Sequence, residues 1–177
     1  MKTLLGFLIF ASMVTVVFSV PFVDLSTRKL IESPFIEQLK AGSEDGSKVL
    51  VFFGYVGCGD ICPTTMSILR KLMQVDKSDI AYPQVIFIDI DRHSNTQRAS
   101  EYAQQFDESF IGYFPENEEL NLIKMDFGLN VRLEGEVINH VGKVYLLQRE
   151  ESKWWLTKAY SQNNFDVDDL FDDLSIH

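Results

Sequence analysis

Residues 48–55, Lys-Val-Leu-Val-Phe-Phe-Gly-Tyr, are a continuous apolar run bounded by turn signals, and they constrain the fold more than any other segment. A strand with one face in water alternates polar and apolar residues. An unbroken run of this length predicts a strand buried on both faces, which requires further layers above and below its sheet. Directly after it come Cys58, Cys62 and Pro63, then Met66, Leu69, Leu72 and Met73 at helical spacing. Proline is well placed in the first turn of a helix, so a helix is predicted from about Pro63. A second strand, Gln84-Val-Ile-Phe-Ile-Asp-Ile90, is followed by a helix whose Ala99, Tyr102, Ala103 and Phe106 share a face. Strand, helix, strand, helix implies a parallel βαβ core.

The flanks complete the plan. Ser33-Pro34 before Phe35, Ile36 and Leu39 reads as a capped short helix, and Gly42 to Gly46 as a turn. A helix around Glu118 to Phe127, with Leu120, Ile123 and Phe127 on one side, is expected to end at Gly128. Two strand-like runs, Val144 to Gln148 and Trp154 to Tyr160, separated by the polar Arg149 to Lys153, predict an antiparallel hairpin. The last segment, with Asp166, Asp168, Asp169, Asp172 and Asp173 among Val167, Leu170, Phe171 and Leu174, reads as a short helix with a solvated acidic face. A βαβ half joined to a ββα half is the thioredoxin arrangement. The expected fold is therefore α/β and thioredoxin-like, a central mixed sheet flanked by helices, with an N-terminal extension.

Residues 4–23 carry no charge, with Lys2 before them and Asp24 after. This predicts an export segment over 1–23, a signal peptide or a membrane anchor, ahead of a domain over 24–177. Val17 and Ser19 are small enough to precede a cut, and about 20 apolar residues also suffice to span a bilayer. Either way Lys2 stays inside and the domain lies outside the cytoplasm, in the periplasm or anchored facing it. The 26 acidic residues against 16 basic ones give a formal charge of −10, with no basic cluster, which excludes nucleic acid as a partner.

Two cysteines in an exported chain can form one structural disulfide. Their placement argues against that role, because a Cys-x3-Cys loop is so short that closing it removes little entropy from the unfolded chain. Both thiols also sit at a strand-to-helix junction, where free backbone N–H groups favour thiolate. Cys58 and Cys62 are therefore read as a redox-active or metal-binding pair. Two soft thiolates suit Cu(I) or Zn(II), and softness alone does not select copper. A closed zinc site would normally want four protein ligands, and no third cysteine exists.

The stretch Val51-Phe-Phe-Gly-Tyr-Val-Gly-Cys-Gly-Asp-Ile-Cys-Pro-Thr-Thr65 resembles the signature of the Sco copper-chaperone proteins, and Phe87-Ile-Asp-Ile-Asp-Arg92 is similar to that family's second-strand motif. The resemblance implies copper as the bound metal, with Cys58, Cys62 and a distant histidine as ligands. His140, in Val137-Ile-Asn-His-Val-Gly-Lys-Val-Tyr145, occupies the family's histidine position. Three departures stand out: Gly59 replaces a proline between the cysteines, Asn139 replaces the usual Asp before the histidine, and Ile90 replaces the proline after Asp89. His93 and His177 are weaker candidates, expected to be solvent-exposed, and Asp89 with Asp91 is not expected to form a shared ligand pair. Asp60 is read equally as a turn residue or as a neighbour that raises a thiol pKa.

The function implied by the resemblance is copper delivery to, or thiol preparation of, the dinuclear copper site of cytochrome c oxidase. Its partners would be an oxidase subunit or another exported thiol protein, an extracytoplasmic reductant, and the membrane if the leader is uncleaved. The alternatives are an extracytoplasmic thiol–disulfide oxidoreductase, in which Cys58 attacks and Cys62 resolves, and a binding module whose cysteines form an inert bridge.

Overall fold

The computed structural model describes residues 28–38, 44, 46–75, 82–129, 132–134, 137–139, 142–161, 165 and 167–175. The expected export segment and most of the expected 42–46 turn lie outside the described residues. Among those described, no helix is long and apolar enough to cross a membrane.

Six strands form one mixed sheet. In chain order they are β1 (Lys29–Leu30), β2 (Lys48–Gly54), β3 (Gln84–Asp89), β4 (Ile111–Tyr113), β7 (Lys143–Glu150) and β8 (Lys153–Ser161), arranged β1-β8-β7-β2-β3-β4. β5 (Arg132–Glu134) and β6 (Val137–Asn139) form a separate antiparallel pair. β2, β3 and β4 run parallel, while β7 lies antiparallel to β2 and pairs with β8 as the expected hairpin. The helices are α1 (Phe35–Gln38), α2 (Ile61–Gln74), α3 (Thr96–Gln104), α4 (Asn117–Phe127) and α5 (Val167–Ser175).

The apolar run that becomes β2 is central, and its alternate residues serve two cores, as side chains on a strand point to opposite faces. Leu50 and Phe52 join Val85, Phe87, Val144 and Leu146 beneath α2, α3 and α5. Val49, Val51 and Phe53 join Ile86, Ile88, Tyr145 and Leu147 beneath α1 and α4. Residues 49–53 are each at most 2% exposed. Burial on both faces explains why no polar residue interrupts the strand.

One boundary differs from expectation, and two sets of side-chain bonds add to the expected picture. α2 begins at Ile61, before Pro63, so Cys62 lies within the helix's first turn. Ser33 also ties the start of α1 to α4: its hydroxyl and its N–H both donate to Asp126, the latter at 2.8 Å. Lys29 Nζ adds bonds to the carbonyls of Met125 and Asp126 at 2.7 and 2.6 Å, where a cation complements the C-terminal end of α4. The acidic face of α5 is not wholly solvated either. Asp173 accepts from Lys158 Nζ at 2.5 Å and from Tyr160 Oη at 2.7 Å, which ties α5 to β8.

Candidate metal centre

The cysteines sit where β2 ends at the C-terminal edge of its parallel neighbours, the edge at which open α/β sheets place their sites. The chain leaves Gly54, turns through Tyr55, Val56 and Gly57, and the Cys58 N–H donates to the Tyr55 carbonyl at 3.2 Å. Asp60 precedes α2, and its carbonyl accepts from Thr64 N–H at 3.4 Å and Thr64 Oγ1 at 2.9 Å. The Asp60 side chain is exposed and makes no cap bond to the helix. Both cysteines are free thiols, Cys58 half-buried and Cys62 fully buried.

Gly54 makes room for this. A Cβ at that position would stand 2.8 Å from Cys62 Sγ and 2.8 Å from Phe87 Cε2. The absence of a side chain at the strand end is what lets the Cys62 sulfur enter the core beside Phe52 and Phe87.

The two sulfurs occupy unlike environments. Partial burial pushes the Cys58 thiol up, but a hydrogen bond from Cys62 and the backbone N–H groups of Cys62, Asp60 and Ile61 outweigh it and hold Cys58 below an ordinary thiol. These donors lie at the start of α2, where backbone N–H groups have no acceptor within the helix and turn to Cys58 instead. Cys62 is pushed well above the usual thiol range by burial, then by its bond to Cys58. One sulfur is thus prepared as an anion and the other is held as its proton donor.

A direct consequence concerns reactivity. Site-resolved alkylation of the reduced protein across pH should show Cys58 reacting with a midpoint below that of a free thiol, and Cys62 resisting at the same pH. Equal rates at both positions would contradict the asymmetry.

Three neighbours surround the pair that sequence reasoning did not assign to it. The Tyr55 hydroxyl is hydrogen-bonded to Cys58, and burial raises its pKa. Tyr102, whose ring lies tilted against Phe87 with centroids 4.9 Å apart, has a pKa raised by burial and then by the nearby Cys62. Asp89, at 0% exposure, has its carboxyl pushed up by burial, with hydrogen bonds from Ser94 and the backbone opposing. The signal for Asp89 was present: a carboxylate ending an otherwise apolar, doubly buried strand is costly to bury unless it is bonded. Asp91 lies past the strand, and its N–H donates to Asp89 Oδ1 at 3.0 Å.

His140, the third expected ligand, lies outside the described residues, as does His177. His93 is exposed, as expected. Among the described residues no group of three His, Cys, Asp or Glu side chains could hold a metal ion. Gly142, however, packs directly on the cysteine motif: a Cβ there would stand 2.2 Å from Ile61 Cγ2.

A family model described as SCO1/SenC matches residues 37–172. Protein SCO1 homolog 1, mitochondrial, of Arabidopsis thaliana is 28% identical over 134 residues, covering 72% of this chain and 39% of its own length. The chain spans about half or less of the length of the curated relatives it matches. Among solved structures, apo Sco1 from Thermus thermophilus superposes with a TM-score of 0.61 at 26% identity, covering 83% of this chain and 88% of that one. Arabidopsis thaliana ScoI, solved with copper bound, gives 0.63 at 24% identity, covering 74% and 83%.

Proposed function

The chain belongs to the SCO1/SenC family, and from that premise we propose that it is an extracytoplasmic copper carrier in which Cys58, Cys62 and His140 hold one copper ion as cargo. The observation that carries this reading is the contact of Gly142 on Ile61. Ile61 lies between the two cysteines, and Gly142 follows His140 by two residues in the sequence, which supports His140 as the third ligand.

The donors present fit copper. Two sulfurs at a helix N-terminus supply soft ligands whose anionic form the backbone N–H groups stabilise, and a neutral imidazole broadens the set to accept Cu(II) as well as Cu(I). The solved Arabidopsis relative carries copper. Deprotonation of Cys62 is the costly step, because burial holds that thiol neutral, and binding of the ion supplies the energy for it. Oxidation of the pair to a disulfide removes both sulfur ligands, so redox state gates loading. Delivery to the dinuclear copper site of cytochrome c oxidase is the recipient we infer. The apolar 4–23 segment supports a location outside the cytoplasm, and a structural relative from Bacillus anthracis is a SCO1/SenC family lipoprotein.

The unlike thiols support a second reading, reduction of disulfides in an exported protein. Cys58 thiolate would attack a partner disulfide, forming a mixed disulfide and expelling one partner thiolate. Cys62, on losing its proton, would then attack Cys58 Sγ and release the second partner thiol. The chain is left oxidised by two electrons and needs an extracytoplasmic thiol reductant to restore it.

Anaerobic Cu(I) loading separates the readings. The reduced wild type should retain one copper per chain, and the oxidised protein and Cys58→Ser should lose tight binding. Equal retention by reduced and oxidised protein would overturn the carrier reading. Turnover of a disulfide substrate with no copper retention would favour the reductase.

A further inference from the structure

Between β2 and α2 the chain has six residues, Tyr55 to Asp60, of which Gly57 and Gly59 are glycines. Gly57 has φ +101°, and nothing lies within 4 Å of the Cβ position at either glycine. A loop so built is conformationally loose, and its looseness is paid for whenever Cys58 must hold one position relative to Cys62. Something has to restrain it.

Asp89 is placed to do so. Its position pairs with Gly54, the last residue of β2, and alternation from Phe87 puts its side chain on the same face of the sheet as Cys62. The carboxylate receives three donors from three places. Ser94 Oγ donates to Oδ2 at 2.5 Å, the Asp91 N–H donates to Oδ1 at 3.0 Å, and the Val56 N–H of the cysteine loop donates to the same carboxylate. Sheet pairing continues beside it, as the Ile90 N–H donates to the Gly54 carbonyl at 2.9 Å. No cation balances this buried charge among the described ion pairs. Burying a carboxylate is costly, and neutral residues would complete the strand more cheaply unless its acceptors are needed.

We propose that Asp89 is a positioning residue for the metal centre, a clamp that fastens the cysteine loop at Val56 to the Asp91–Ser94 loop and so fixes Cys58 relative to Cys62. The inference rests on the copper-carrier reading for its consequence, though not for the clamp itself. With Val56 held, the free length of the loop shrinks to the four residues Gly57 to Asp60, and Cys58 approaches the ion from a restrained backbone. An outer residue that orients a ligand in this way typically changes metal affinity 10- to 100-fold.

The test uses the full-length reduced protein with Asp89→Ala, Asp89→Asn and Ser94→Ala, read by amide hydrogen exchange at Val56 without metal and by Cu(I) competition against a chromophoric chelator. Asp89→Ala should accelerate Val56 exchange at least about tenfold and weaken Cu(I) binding about tenfold or more. Asp89→Asn keeps an acceptor oxygen for backbone N–H and an amide that can donate to Ser94 Oγ, so it should rescue most of both. Ser94→Ala, which leaves the two N–H donors in place, should give a smaller shift in the same direction and serves if Asp89→Ala does not fold. Unchanged Val56 exchange in Asp89→Ala, or in Ser94→Ala where it must stand in, overturns the clamp. Released Val56 with unchanged copper affinity makes Asp89 merely structural, and failure of Asp89→Asn to rescue assigns the effect to charge; either result overturns the proposal. If the wild type itself retains no Cu(I), the carrier reading fails, and Val56 exchange alone decides the clamp.

Discussion

Gly112→Val is expected to unfold the domain or leave it marginally stable. Gly112 is the centre of β4, and a Cβ there would stand 2.1 Å from the Ala99 carbonyl oxygen and 2.4 Å from the Ser100 nitrogen. Both atoms are backbone of α3, so no rotamer change relieves the overlap. The contact is also bonded, with Ser100 Oγ donating to the Gly112 carbonyl at 3.2 Å. Room for valine requires moving α3 away from the sheet, which would lift Tyr102 from Phe87 and Ala103 from the core it shares with them. Overpacking that flexible side chains absorb costs about 1–3 kcal/mol, and one that backbone must absorb belongs at or above the top of that range. Against a total of about 5–15 kcal/mol, this is a large fraction. Urea unfolding followed by fluorescence of the two tryptophans should show a sharply lower midpoint. A midpoint equal to wild type would contradict the close approach of α3 to β4.

Gly54→Val should strike fold and site together. Its first added carbon meets Cys62 Sγ and Phe87 Cε2 at 2.8 Å and Phe52 Cε1 at 3.2 Å, all from residues that are fully buried. Cys62 cannot retreat, because it sits in the first turn of α2 with Met66 and Leu69 packed behind it in the same core. We expect a loss of about 2 kcal/mol and loss of copper retention in the fraction that folds. Gly59→Ala is the matched control: nothing lies within 4 Å of its Cβ position, so stability should stay within about 0.5 kcal/mol of wild type. Wild-type copper affinity in Gly54→Val would contradict the placement of Cys62.

The central βαβ unit was legible in the sequence because each of its parts is constrained by burial alone. The run at 48–54 is apolar without interruption since both faces are covered, and Met66, Leu69 and Leu72 recur at helical spacing since only one face of α2 is. The hairpin of β7 and β8 and the helix ending before Gly128 were legible for similar reasons. β4 was not, as three residues with a glycine in the middle carry no pattern of strand length or propensity. β1 and the β5–β6 pair were too short as well. The start of α2 at Ile61 escaped notice because Pro63 is the stronger local signal, yet proline is tolerated anywhere in a first turn where its N–H has no partner to lose.

At the site, the pairing of Cys58 with Cys62 at a helix N-terminus followed from spacing. Their inequality did not, because it depends on how deeply each sulfur is buried, and that depends on Gly54, eight residues before Cys62 in the chain and in contact with it only through the fold. Asp89 and the Val56 bond were hidden for the same reason. His140 entered through resemblance alone and lies outside the described residues.

X-ray absorption at the copper edge of the Cu(I)-loaded protein tests the three-ligand account most directly. The wild type should show two sulfur scatterers and one imidazole nitrogen, with the nitrogen shell lost in His140→Ala and one sulfur lost in Cys58→Ser. A first shell of oxygen and nitrogen without sulfur, or a spectrum that His140→Ala leaves unchanged, would contradict it.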